Sequence, residues 1–362
     1  ASVMTVEFWN GSAWTSFAPN RAGIYEAARD MVRADALAGH GVEFVDVGVT
    51  VGTTRETPLI GAVDDRGGFR IVTAPPLCFD FADVIVCHTG VPDAWVVRTQ
   101  APMVWILHGR PLAAYRMEQA TGLQSYSLYA ELAQWPRAKR LVSFWPEHRP
   151  YWEVVVPAEK LVMLENPPCD GERFTPEGET YAIPDQHRGQ INGLICDSWR
   201  EDVDIYEVIH GALEASRRLH GLRWHLCGIE RQDGPWAYLL AALRRAGAIG
   251  EVCGRVAGME ARYRAYDLLL TPHRIVTRTI AEALCSGVPV VAMIGCAVTP
   301  YQMRPDDPAS VAEVVEALVA TDPMFRRRLA REQAERFNLH VFGAAMTAIY
   351  TQAIQASMGA YA

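Results

Sequence analysis

Residues 267–292 read DLLLTPHRIVTRTIAEALCSGVPVVA. The apolar run 267–270 predicts a short buried strand. Residues 271–279 form a polar loop carrying Pro272, His273, Arg274 and Arg278. The small residues of 280–285 predict a helix with one acid, Glu282. Gly287 ends that helix, and Pro289 opens a second apolar run over 290–292. The order is strand, loop, helix, tight turn, strand. In α/β sheets the corner between a strand end and the following helix is where ligands bind. An acid near the helix start and two arginines in the loop make this corner the candidate site.

Working outward, the same alternation covers the chain. Strands are expected over 5–8, 42–47, 69–73, 83–87, 103–107, 140–143 and 161–164. Helices are expected over 24–39, 92–99 and 112–135, with a turn-rich segment at 52–68 and an aromatic segment at 144–152. Residues 174–189 (FTPEGETYAIPDQHRG) are polar and rich in proline and glycine, and read as a linker. The pattern then restarts, with strands at 192–196, 223–227 and 251–253 and helices at 203–220, 235–246 and 258–266. Helices over 308–319, 323–337 and 342–358 close the chain. Strands alternating with helices predict doubly wound parallel sheets, and two rounds predict two Rossmann-like α/β domains facing across a cleft.

Composition narrows the class. A chain of 362 residues holds more than one ordinary core. No apolar run approaches the ~20 residues of a membrane helix. Residues 1–11 show no secretion signal, so a cytoplasmic location is expected. The eight cysteines lack framework spacing, and Cys87, Cys196, Cys227 and Cys285 lie in or beside apolar runs, as buried free thiols do. A net charge of −8 argues against broad non-specific nucleic-acid binding. No cluster has metal-ligand spacing, and there is no nucleophile elbow, P-loop or dinucleotide fingerprint.

Specific motifs carry a resemblance. Residues 160–176 (KLVMLENPPCDGERFTP) are similar to the segment that ends the N-terminal domain in the retaining glycosyltransferases of the GT-B fold, the glycosyltransferase family 4 group. Asn166, Asp170, Phe174 and Pro176 hold the family's spacing, while Pro167 and Pro168 replace its Gly-Val pair. Residues 282–292 (EALCSGVPVVA) resemble the family's Glu-Ala-x-Ala-x-Gly-x-Pro-Val-Val-Ala run, and residues 257–272 resemble the lead-in to it. The resemblance spans most of the chain and is strongest over 250–292. It implies an N-terminal acceptor domain over 1–172 and a donor domain over 173–341, with the last helix (342–362) packing back on the first domain.

The resemblance also implies an activity. The chain would transfer a hexosyl or pentosyl group from a nucleoside-diphosphate sugar to an acceptor hydroxyl, with retention of configuration. Glu282 would accept hydrogen bonds from both ribose hydroxyls. Thr277, Arg278 and Thr279 would form the anion corner for the diphosphate. Gly228, Arg255, Val256 and Gly23 would also line the donor, Gly23 from a glycine-bearing loop at 19–23. His108 would hydrogen-bond the donor sugar at the reaction centre. His88, Arg21 and Arg110 are placed on the acceptor side. No cofactor and no metal are expected beyond the donor itself. The acceptor class and oligomeric state stay open.

Two departures from the family matter. Arg274 stands where the family has its first glutamate, which holds the sugar ring. The family's Arg-x4-Lys pair is replaced by Cys196 and Glu201, with Arg200 nearby. Arg274, Arg278 and Arg200 are therefore expected to supply the missing positive charge, with Arg274 and Arg278 acting beside His108 in catalysis. The readings kept beside this one are a nucleic-acid glycosyltransferase, a GT-B nucleotide-sugar epimerase and a decayed nucleotide-sugar-binding protein.

Overall fold

The computed structural model describes residues 2–3, 8–9, 14–15, 22–46, 59–63, 69–73, 82–88, 100–108, 110–121, 126–197, 205–229, 233–254, 256 and 258–358. The chain divides into two compact units. One holds Ala1–Pro168 and Leu339–Ala362, and the other holds Cys169–Asn338.

The first unit opens with three short strands, β1 (Ser2–Val3), β2 (Phe8–Trp9) and β3 (Trp14–Thr15). Helix α1 (Ala22–Leu37) follows, then β4 (Glu43–Asp46), β5 (Leu59–Val63), β6 (Phe69–Thr73), β7 (Ile85–Cys87) and β8 (Met103–Ile106). Helices α2 (Pro111–Thr121) and α3 (Tyr126–Gln134) precede β9 (Ala138–Ser143), α4 (Arg149–Trp152) and β10 (Leu161–Met163).

Its sheet runs β10-β9-β8-β7-β1-β4-β5-β6. The pairs from β10 to β4 are parallel, and β4-β5-β6 is an antiparallel ribbon. This corrects the expectation of a wholly parallel sheet, because β5 lies in the stretch read as turns. The antiparallel pairing needs only the short β5–β6 loop, whereas a parallel return needs a helical crossover. The single helix expected over 112–135 is two, α2 and α3. The helix expected over 92–99 lies outside the described residues, as does most of the first expected strand.

In the second unit, β11 (Ile191–Cys196), α5 (Ile205–Arg218), β12 (Leu222–Cys227), α6 (Pro235–Arg245), β13 (Ile249–Val252), α7 (Met259–Ala265) and β14 (Leu268–Leu270) alternate. Then come α8 (Arg278–Cys285), β15 (Val290–Met293), β16 (Gln302–Met303), α9 (Pro308–Ala320) and α10 (Pro323–Ala334). The sheet order is β13-β12-β11-β14-β15-β16, with every pair parallel. In chain order this is the doubly wound 3-2-1-4-5-6 arrangement, whose direction switches between β11 and β14.

Both faces of this sheet are covered, which explains its unbroken apolar strands. Leu268, Leu270, Val291 and Met293 point into the core beneath α5 and α9. Their neighbours Leu269, Val290 and Ala292 point into the opposite core, with Ile280 and Leu284 of α8. The proline- and glycine-rich stretch 174–189 is not a free tether. Arg264 of α7 donates to the carbonyls of Thr175 (2.7 Å), Glu179 (2.6 Å) and Arg173 (3.2 Å), and so pins the stretch to the second unit.

The last helix, α11 (Leu339–Met358), packs in the first unit with α1. Phe342, Met346, Ile349 and Tyr350 join Met31 and Ala34 in one core. Within it Tyr350 donates its hydroxyl proton to Asp35 Oδ2 at 2.8 Å, and burial pushes the Asp35 carboxyl up to about 7. A raised carboxyl pKa means the folded state holds its proton more tightly than the unfolded chain. The stabilisation is full below about pH 4 and is lost as pH rises towards 7. Asp35→Asn is expected to remove this loss, so its stability relative to the parent rises by about 3 kcal/mol between pH 5 and pH 8. Urea unfolding at both pH values measures it, and equal slopes in the two proteins would contradict the assignment.

Candidate functional site

Two titratable side chains, Asp197 and His273, lie just past the strand ends at the switch point of the second unit. Asp197 directly follows β11, and His273 lies three residues past β14. His273 Nε2 meets Asp197 Oδ2 at 2.6 Å, bridging the two strand ends. The carbonyl of His273 accepts the backbone N–H of Met293, so the loop is held against β15 as well.

Helix α8 starts at this corner. Thr277 is its N-cap, in extended conformation, but its hydroxyl caps no backbone amide. Thr277 Oγ1 is buried without a hydrogen-bond partner among the described residues. A buried hydroxyl at the N-terminal end of a helix is suited to an anionic oxygen. Glu282 sits one turn into α8 and is buried. Its Oε1 is paired with Arg278 Nε at 2.6 Å across that turn, and its Oε2 accepts the Tyr263 hydroxyl at 3.2 Å. Burial first, and then the nearby Glu282 charge, hold the Tyr263 hydroxyl well above its usual range, so it remains a donor. Burial likewise holds the Cys196 thiol, at the end of β11, in its protonated form. Phe174 packs edge-on against Tyr263, 6.2 Å between centroids, and lies 5.9 Å from the Arg278 guanidinium carbon.

The acid does not face two arginines alike. Arg278 is paired with Glu282, while Arg274 is exposed. Thr279 is half-buried on the first turn of α8, and Val256 packs against the core behind it. Gly228 follows β12 with φ of 91°, a left-handed conformation suited to glycine, and its N–H donates to Gly254 O at 3.0 Å. Gly23 is the second residue of α1, not part of a loop before it, because the helix begins at Ala22. Arg21, Arg200 and Arg255 lie outside the described residues.

In the first unit, His88 and His108 follow the adjacent parallel strands β7 and β8. His88 Nδ1 and His108 Nε2 are 3.1 Å apart. Burial keeps both rings neutral, lowering His108 to about 4 and holding His88 well below the usual imidazole range. Arg110 is half-buried just before α2. Sequence reasoning singled out His88 and His108 separately and missed their contact. It also missed Asp197 and Tyr263. The available signal for Asp197 was an acid directly after a buried strand.

No protein-family model and no curated sequence matches the chain. Solved structures do. A glycosyltransferase from Rickettsia africae superposes with a TM-score of 0.61 at 13% identity, covering 98% of each chain. Anabaena HepE, solved with UDP and glucose, gives 0.56 at 14% identity over 74% of this chain and 78% of HepE. Staphylococcus aureus TarM, solved with UDP, gives 0.54 at 9% identity over 74% of this chain and 55% of TarM. At these identities the likeness establishes the fold, which is GT-B: two α/β units of doubly wound type. Among the described residues, no helix is long and apolar enough to cross a membrane.

Proposed function

We propose that the chain transfers a glycosyl group from a nucleoside-diphosphate sugar to an acceptor hydroxyl, with retention of configuration. The observation that carries this reading is Glu282, buried one turn inside α8 at the switch point and held by Arg278 and Tyr263. A buried carboxylate with an ordered cation beside it suits a ligand that offers vicinal hydroxyls next to a diphosphate. The GT-B likeness, which includes proteins solved with UDP and UDP-glucose, supports the same reading.

In this reading the ribose hydroxyls donate to Glu282. Arg278 turns from the carboxylate towards the diphosphate, which lies at the first amides of α8 and the Thr277 hydroxyl. As the bond from the anomeric carbon to phosphate oxygen breaks, charge grows on the leaving diphosphate. Arg278 and the exposed Arg274 stabilise it more in the transition state than in the ground state. The acceptor oxygen attacks from the face the diphosphate leaves, and its proton passes to a phosphate oxygen. In this reading arginines and a helix end offset the negative charge of the diphosphate, so no metal is called for.

Isothermal titration with nucleoside diphosphates, followed by turnover with the matching sugar donors, tests this. Binding in the micromolar range and a product with the donor's anomeric configuration are expected. Inverted product would overturn retention, and absence of nucleoside-diphosphate binding would overturn the whole reading. Arg278→Ala is expected to weaken diphosphate binding by roughly tenfold or more, the loss of one charge-assisted contact. Unchanged affinity would remove Arg278 from the diphosphate.

A further inference from the structure

His88 and His108 end neighbouring strands of one parallel sheet, beside the point where that sheet switches direction between β1 and β7. Their rings lie 5.4 Å apart at 34°, joined through His88 Nδ1 and His108 Nε2 at 3.1 Å. Both rings are neutral at pH 7, so only one proton lies between the two nitrogens. Two arrangements satisfy this contact. In one, His88 donates from Nδ1–H, its Nε2 is a bare lone pair, and His108 carries its own proton on Nδ1. In the other, His108 donates from Nε2–H, and His88 carries its proton on Nε2.

The burial of His88 decides between them. His88 is 2% exposed, and its Nε2 has no hydrogen-bond partner among the described residues. The second arrangement would bury a proton there with nothing to accept it. Orphaned buried N–H groups are rarer in folded proteins than under-used acceptors. The first arrangement leaves only an unused lone pair.

We infer that His88 is a positioning residue that fixes His108 as a neutral hydrogen-bond donor through Nδ1–H. His108 is half-buried, less enclosed than His88. It therefore offers a proton-bearing nitrogen to a substrate oxygen and does not serve as a base, because Nδ1 has no free lone pair and Nε2 is occupied. That the oxygen belongs to a substrate of glycosyl transfer rests on the transfer reading above. On that reading, the proton of the acceptor hydroxyl has to leave by another route, which agrees with its passage to the leaving phosphate.

Two-bond ¹H–¹⁵N spectra of the histidine-labelled protein at pH 7 test the inference without any substrate. The His108 signals are assigned by their loss in His108→Gln. The Nδ1–H pattern is expected for His108 in the parent. In His88→Leu the Nε2–H form, which the isolated neutral ring favours, is expected instead. His88→Asn keeps a side-chain N–H donor and is expected to preserve the Nδ1–H pattern. Turnover should fall roughly 10- to 100-fold in His88→Leu and recover in His88→Asn. An Nε2–H or doubly protonated His108 in the parent would overturn the inference, whatever the activity. The expected spectrum without turnover on any nucleotide sugar would instead overturn the transfer reading and leave the tautomer standing.

Discussion

Glu282→Gln is expected to lower nucleoside-diphosphate affinity by roughly 100-fold or more while the protein stays folded. The magnitude follows from two hydroxyl contacts to a charged acceptor, each contributing about 1.5–3 kcal/mol. Gln keeps the shape of the side chain and an oxygen for the Tyr263 hydroxyl, so the packing around α8 is retained. The charge facing Arg278 at 2.6 Å is lost. Glu282→Ala is the harsher variant, since it leaves the Arg278 cation half-enclosed without its partner, a loss of about 3–5 kcal/mol for a buried pair. For that reason affinity and thermal midpoint are measured together. A 2′,3′-dideoxy nucleotide separates the two effects further. The parent should bind it far more weakly than the ribonucleotide, and Glu282→Gln should hardly distinguish them. Full discrimination retained in the Gln variant would remove Glu282 from the ribose.

What sequence could deliver here depended on the range of the interaction. The strand, loop and helix over 267–292 were legible because each has a local cause: an unbroken apolar run, a small-residue helix, and Gly287 with φ of 74° at its end. The pairing of Glu282 with Arg278 was within reach too, since the two are one helical turn apart. A loop over 271–279 leaves Arg278 outside the helix and hides the pair. Contacts between distant segments were not legible. Tyr263 reaches Glu282 from α7, and Asp197 reaches His273 across the switch point, 76 residues away in sequence. The antiparallel β5 was missed for another reason. LIGAV is short, and the flanking glycines and charges made 52–68 resemble loop. His88 and His108 each ended a strand on sequence grounds, but only the β7–β8 register brings their rings together.

Gly343→Val is expected to cost the first unit roughly 3 kcal/mol or more, at the upper end of what overpacking does. Gly343 lies on the buried face of α11 where that helix crosses α1. A Cβ placed there would come within 2.5 Å of the Ala34 carbonyl oxygen and 3.2 Å of the Ala38 methyl. The nearest atom is helix backbone, not the tip of a flexible side chain. It can yield only if α1 and α11 move apart, and that would loosen Met31, Phe342 and Met346 together. Gly343→Ala creates the same contact with less bulk, and regains up to about 1 kcal/mol of helix propensity. A graded loss is therefore expected, with Val well beyond Ala. Ala344→Ser, on the exposed face of the same helix, should change little. The Tyr350–Asp35 hydrogen bond spans the same pair of helices. Separating them should let water reach Asp35, and the loss of stability between pH 5 and pH 8 should then shrink in Gly343→Val. Urea unfolding of these variants at both pH values reads the two effects at once. A Val variant as stable as the parent would show that the close crossing of α1 and α11 does not hold in solution.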